Sequence, residues 1–151
     1  MTTNTTSTTP ESAQSKSFAR HIPTIVRLLM GLMFFVFGLN GFLNFILQPK
    51  DPMPEGAVAF ATALANTGYM MKLVMGTQLL VGVLLLLNRF VPLALALLAP
   101  ILVGIVTFHF FLAPKGFAPG IVALVMELYL AWAYRDAFRP MLAFRTSPRG
   151  S

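Results

Sequence analysis

Cysteine is absent from the 151-residue chain, and charged residues make up only 11% of it. The lack of cysteine excludes disulfide scaffolds, thiol redox chemistry, and zinc or iron–sulfur sites built on thiolates. Soluble domains carry roughly 25% charged residues, which cover their surface. Because 56% of the residues are apolar, the composition indicates a membrane protein and argues against a soluble globular one.

Long runs without charge organise the sequence. A helix that spans the hydrocarbon of a bilayer needs about 20 residues. Two runs of that length carry no charge, between Arg27 and Lys50 and between Arg89 and Lys115. A third carries one charge, Glu127, and a fourth reaches this length if it starts near Tyr69, with Lys72 extending toward the water. The predicted transmembrane helices cover about 24–47, 69–88, 91–113 and 118–138. The predicted fold class is therefore all-α: a four-helix transmembrane bundle that occupies residues 21–142, with a short extra helix in the first outer loop.

The segments outside the predicted spans differ from them in amino-acid composition. Residues 1–20 are rich in serine and threonine, and they predict a disordered cytoplasmic tail because they have little apolar area to bury. Residues 143–151 are predicted to form a basic cytoplasmic tail. In the first loop, an alanine-rich stretch predicts a short helix over 55–67, with a C-cap at residues 66–68. This helix is too short to span, and it is either a packed connector or a lid over a site.

The basic residues are distributed unevenly. Four spans place both termini on one side, and that side carries eight lysines and arginines against three on the other. Because lysine and arginine accumulate in the cytoplasm, both termini are predicted to be cytoplasmic, and the loop 49–68 is predicted to face outward. The net charge of +6 is thus an orientation signal. The predicted partner is the lipid bilayer, with no nucleic acid.

Every predicted span carries a strongly hydrogen-bonding side chain. These side chains are Asn40 and Asn44 in the first span, Gln78 in the second, His109 in the third and Glu127 in the fourth. At a rise of about 1.5 Å per residue, all of them lie in the outer half of the membrane or near its middle. If their faces converge, they form one polar pocket that opens to the outside.

Glu127 is the predicted catalytic residue. Small residues share its helical face, which predicts that it faces the bundle and not the lipid. Carboxyl groups inside membranes are costly and typically mark functional sites. Glu127 is expected to exchange a proton or to pair with His109. The alternative is a hydrogen bond to Asn40 or Gln78 that only fixes the helix register.

The other polar side chains are predicted to bind a ligand: Asn40, Asn44, Gln78 and His109. Their structural alternative is hydrogen bonding between helices. Thr77 and Thr107 are expected to bond to the backbone of their own helices. The nine methionines have no histidine-rich or methionine-rich loop beside them. Core packing is therefore expected of them, and no metal site is predicted.

Three segments of the chain resemble DoxX-like membrane proteins. They are residues 38–45 (Gly-Leu-Asn-Gly-Phe-Leu-Asn-Phe), 76–86 (Gly-Thr-Gln-Leu-Leu-Val-Gly-Val-Leu-Leu-Leu) and 127–135 (Glu-Leu-Tyr-Leu-Ala-Trp-Ala-Tyr-Arg). The resemblance extends from about Arg27 to Leu142. It implies a four-helix bundle in the bacterial inner membrane. Relatives often carry a carboxylate where this chain has Gln78.

The resemblance also implies a function. The namesake of the family is a subunit of a thiosulfate:quinone oxidoreductase, which implies a membrane subunit of a quinone-linked oxidoreductase with a quinone as ligand. Because no motif for a cofactor of its own is present, the chain is not expected to be an enzyme by itself, and a redox partner subunit would supply the electrons. A second copy of the chain is a further candidate partner. Two alternatives are a small proton-coupled exporter and a non-catalytic assembly or scaffold subunit.

Overall fold

The computed structural model describes residues 11–46 and 52–143, and its regular secondary structure in these two ranges is entirely helical, with no strand. The helices are α1 (Glu11–Leu43), α2 (Glu55–Asn66), α3 (Met70–Leu86), α4 (Val91–Phe111), α5 (Phe117–Ala133) and α6 (Arg135–Phe138), with a 3₁₀ turn at Pro114–Gly116 before α5. The all-α prediction is confirmed.

The four long helices form a closed ring. Helix α1 packs against α3 and α5, and α4 packs against the same two helices from the other side. The core between them is almost entirely hydrocarbon, and its fully buried large side chains are Met30, Val81, Leu85, Leu95, Leu98, Leu102 and Leu130. Many large apolar side chains point outward, including Leu29, Leu73, Val103, Val125 and Leu128. A soluble protein does not expose so much apolar surface, whereas lipid chains cover it readily.

Within residues 11–46 and 52–143, three helical stretches are long and apolar enough to cross a bilayer: Arg20–Leu43, Val91–Phe111 and Pro114–Ala133. The remaining predicted span, the second (69–88), corresponds to α3, which has 17 residues and is therefore only about 26 Å long. It reaches spanning length only together with α2, from which it is bent by 90°. The bend follows Gly68, whose φ of +77° ends the α2 segment in the manner predicted for a C-cap.

The helix boundaries agree with the predicted ranges except in three places. Helix α1 begins at Glu11, so residues 11–20 are helical where a disordered tail was predicted. Extending an existing helix costs far less than nucleating one, so a polar segment can continue it. Helix α1 also ends earlier than predicted, at Leu43, and the last predicted span is interrupted at Tyr134. The predictions for residues 1–10 and 144–151 lie outside the described residues.

Helices α1 and α3 approach each other closely at two glycines. A Cβ atom at Gly38 would lie 2.7 Å from the Cα of Leu79, and a Cβ at Gly82 would lie 2.6 Å from the Cα of Phe35. Both distances are shorter than van der Waals contact, so only glycine permits this separation. In a membrane, where burial of apolar surface does not drive helices together, such backbone proximity is a main source of packing energy.

Replacing Gly38 by alanine should therefore destabilise the bundle. The added methyl group forces the α1 and α3 backbones apart, and overpacking of this kind costs about 1–3 kcal/mol. The measurement is the unfolding midpoint of the purified protein in detergent, followed by circular dichroism. The control is Gly104→Ala, because a Cβ at Gly104 would meet nothing within 4 Å. Equal midpoints for the two variants would contradict this account of the α1–α3 contact.

Candidate functional site

Two cavities lie at the end of the bundle that carries α2. The central cavity has a volume of about 590 Å³ and is enclosed by the four long helices, with Phe34, Asn40, Gln78, His109 and Ala123 in its wall. The side cavity has a volume of about 360 Å³ and lies between α2, α3 and α4, with Phe60, Leu64, Met71, Gln78 and Gly104 in its wall. Both volumes fall in the range of small-molecule sites.

The two cavities share one wall. Four residues line both of them: Met75, Gln78, Ile105 and His109. Two of the four are polar, one from α3 and one from α4. The shared wall therefore presents hydrogen-bonding groups to spaces that are otherwise lined mainly by hydrocarbon and thioether groups.

Gln78 is the most unusual group in this wall. Its side chain is only 6% exposed, and it forms no hydrogen bond with any other residue that the structure describes. Because Gln78 lines both cavities, its amide is available to a molecule bound in either of them.

His109 presents one ring nitrogen to the site and uses the other to hold itself in place. Nδ1 donates a hydrogen bond of 2.8 Å to the carbonyl oxygen of Ile105, one turn earlier in α4. Since a carbonyl only accepts, Nδ1 carries the proton, and in the neutral ring Nε2 keeps its lone pair. The ring packs so closely on Gly116 that a Cβ there would lie 2.7 Å from Nε2. The orientation of the imidazole is thus fixed from two sides.

Asn40 combines a structural role with a place in the site. Its Oδ1 accepts a hydrogen bond of 2.7 Å from the backbone N–H of Ile46, which ties down the chain after α1. The side chain also lines the central cavity. Its amide nitrogen remains as a donor, so Asn40 adds a second amide to the one that Gln78 supplies.

Asn44 lies apart from the cavities. It is exposed, and its φ of +48° places it in the left-handed region that commonly follows a helix. Its backbone N–H donates to the carbonyl of Asn40 at 2.8 Å. In a continuous helix Asn44 would share a face with Asn40, four residues earlier, but α1 ends at Leu43 and the chain turns away there.

Glu127 faces the bundle as its small neighbours predicted, since it is only 6% exposed. It does not line either cavity, because it lies one helical turn, about 6 Å, beyond Ala123 in the wall of the central cavity. Its Oε2 has no hydrogen-bond partner among the described residues. Among the described residues Glu127 forms no hydrogen bond with His109, as was predicted, or with Asn40 or Gln78, as the alternative had it. The expected single pocket therefore contains only some of the polar residues.

Arg27 is a buried group that sequence reasoning missed. The charge count placed it among the cytoplasmic flanking residues, yet it is only 6% exposed. Its Nη1 donates a hydrogen bond to the carbonyl oxygen of Leu85 near the end of α3, where a positive charge is favourable. Its Nε has no partner in the described part of the chain. The sequence feature that could have predicted its burial is its spacing from Met30 and Phe34, which places all three residues on one helical face.

The two membrane threonines behave as predicted. Thr77 Oγ1 donates to the carbonyl of Leu73 at 2.8 Å, and Thr107 Oγ1 donates to that of Val103 at 2.7 Å. Each hydroxyl is satisfied inside its own helix. Neither threonine lines a cavity, so the hydrogen-bonding capacity of the site comes from its amides and its imidazole.

Comparison with known proteins places this arrangement in a family. The family model of DoxX matches residues 22–110, which is more than half of the chain. The protein belongs to the DoxX family. No curated protein matches the chain, and no solved structure matches it. The DoxX match includes Asn40, Gln78 and His109, whereas Glu127 lies beyond its end.

Asn44 provides a test of the distinction between structural and ligand-binding residues. Asn44→Ala should lower stability by about 1 kcal/mol, because alanine tolerates positive φ poorly, whereas Asn44→Gly should preserve it. The measurement is the unfolding midpoint in detergent. If a stable, folded Asn44→Gly protein lost the binding of a small molecule to the cavities, Asn44 would be a ligand-binding residue and its purely structural role at the end of α1 would be contradicted.

Proposed function

We propose that this DoxX-family protein binds a quinone in its paired cavities and acts as a membrane subunit of an oxidoreductase complex. A bound quinone accepts two electrons and two protons. Under this proposal, a partner subunit supplies the two electrons, and water on the outer side supplies the two protons. The chain supplies the binding site, its hydrogen bonds and its exclusion of bulk water.

The observation that carries the proposal is the position of Gln78, whose largely buried side chain lies in the wall shared by both cavities. A buried amide in an apolar wall is stabilised by a ligand that offers hydrogen-bonding atoms on an otherwise apolar body. A quinone has this chemistry, because two carbonyl oxygens lie on opposite sides of a flat carbon ring. The membrane also dissolves such a ligand, so it reaches the protein without crossing water.

The polar groups of the site suit both redox forms of that ligand. The amide N–H groups of Gln78 and Asn40 are donors for the quinone carbonyl oxygens. The Nε2 lone pair of His109 is an acceptor for a hydroxyl of the reduced form. A carboxylate would favour proton transfer more strongly, and relatives often carry one where this chain has Gln78. In this chain the position offers a neutral hydrogen bond instead.

The alternatives fit the site less well. A proton-coupled exporter needs its titratable carboxyl in the substrate pathway, and Glu127 does not line either cavity. A non-catalytic scaffold subunit does not need two cavities with an amide and an imidazole in their shared wall. Both alternatives predict that a quinone does not bind.

Gln78→Leu should weaken quinone binding by about tenfold, which corresponds to the loss of roughly one buried hydrogen bond. The measurement is equilibrium binding of decylubiquinone to the purified protein in detergent. The matched control is Thr77→Val, because the adjacent hydroxyl bonds within its own helix and affinity should be unchanged. Absence of binding to the wild-type protein, or equal affinity in Gln78→Leu, would overturn the proposal.

We also propose that α1, α3, α4 and α5 each cross the bacterial inner membrane, with both termini cytoplasmic. The eight-to-three distribution of basic residues supports this orientation. It places α2 and the two cavities on the outer side, where an external redox partner has access to them.

Single introduced cysteines test this orientation directly, because the chain has none of its own. Ala63→Cys on α2 and Ala137→Cys on α6 both place a thiol at an exposed helical position. In intact cells, a membrane-impermeant maleimide should label Ala63→Cys immediately and Ala137→Cys only after permeabilisation. The reverse pattern would show that the orientation is inverted.

A further inference from the structure

Helix α2 forms a roof over the side cavity. It runs at 90° to α3, and its residue Ala57 is fully buried. The ring of Phe60 packs on that of Phe108 in α4, with 5.6 Å between the centroids. The cavity beneath this roof is therefore bounded on three sides by α2, α3 and α4.

The side cavity and the central cavity differ in polarity. Among the described residues that line the side cavity, only Gln78 and His109 are polar, and both lie on the wall shared with the central cavity. The central cavity adds the amide of Asn40. A molecule that extends through both cavities would therefore place its polar end in the central one and an apolar part in the side one.

The wall of the side cavity contains two exposed residues, Phe60 on α2 and Gly104 on α4, and the open space beside the cavity is at Gly104. Gly104 lines the cavity, yet it is exposed, and a Cβ there would meet nothing within 4 Å. It lies seven residues before the end of α4 at Phe111, or roughly 10 Å along the helix axis. At that depth the surrounding solvent is lipid, so the mouth of the side cavity opens to acyl chains and not to water.

We propose that the ligand of this site carries a hydrocarbon tail that lies in the side cavity and leaves the protein at Gly104, between α3 and α4. This inference rests on the proposed function and adds the class of ligand: an amphiphile with a long apolar chain that enters laterally from the bilayer. The headgroup occupies the central cavity. The roof formed by α2 separates the tail from the water outside.

The test compares two probes on the same variants. Decylubiquinone carries a ten-carbon tail, and ubiquinone-0 carries the same headgroup without it. Gly104→Phe places a ring in the mouth of the side cavity. It should weaken decylubiquinone binding by about tenfold and leave ubiquinone-0 binding unchanged. Each probe is compared with itself on the wild-type protein, so its partitioning into detergent cancels.

Val103→Phe is the matched control. It adds the same ring to the adjacent residue of α4, which is 59% exposed and does not line either cavity. Both probes should bind to this variant as they bind to the wild-type protein. Ala61→Trp is a second test, because it fills the side cavity from α2 and should reproduce the tail-selective loss if Gly104→Phe does not fold.

The outcomes separate the two proposals. If neither probe binds to the wild-type protein, the proposed function fails and this inference fails with it. If both probes bind but the cavity-filling variants weaken them equally, the side cavity belongs to the headgroup site, and the tail assignment is overturned while the function stands. If the variants weaken neither probe, the tail leaves elsewhere, and the assignment is likewise overturned.

Discussion

The close approach of α1 to α3 is the contact on which the site depends. At Gly38 and Gly82 the two backbones come nearer than any side chain would permit. Gln78 and Asn40 each lie within two residues of the Gly38–Leu79 contact, so their amides are held at the same level of the bundle. Moving a hydrocarbon side chain from lipid into the bundle gains no hydrophobic free energy. Close packing of the backbones therefore stabilises the bundle, as burial of apolar surface stabilises a protein in water.

Several polar side chains of the bundle form hydrogen bonds within their own helices. Thr77 and Thr107 satisfy their hydroxyls within their own helices, and His109 satisfies one ring nitrogen in the same way. Every group bonded in this manner is withdrawn from ligand chemistry. What remains beside the cavities is the amide of Gln78, the amide nitrogen of Asn40 and the Nε2 of His109. The candidate site therefore consists of the polar groups beside the cavities that no hydrogen bond within a helix occupies.

Part of this site follows from the sequence. The helical spacing of polar residues in apolar runs predicted that Asn40, Gln78 and His109 approach one another, and the structure places them around the central cavity. The same reasoning grouped Glu127 with them, because helical periodicity fixes the face of a residue but leaves its depth open to a sliding of one helix along the next. A slide of one turn is enough to separate Glu127 from the cavity.

Hydropathy and turn chemistry are local properties, and for that reason the sequence alone determined the helices, the break at Gly68 and the membrane character of the chain. Only the tertiary structure decided which polar groups meet. Arg27 lies at the edge of an apolar run. Its helical spacing from Met30 and Phe34 indicates a buried side chain, whereas its charge indicates an exposed one at the membrane surface. Its burial depends on where α3 ends beside it, because it donates a hydrogen bond to the carbonyl of Leu85. The two cavities likewise exist only between helices, since their walls combine residues from segments that are distant in sequence and brought together by packing.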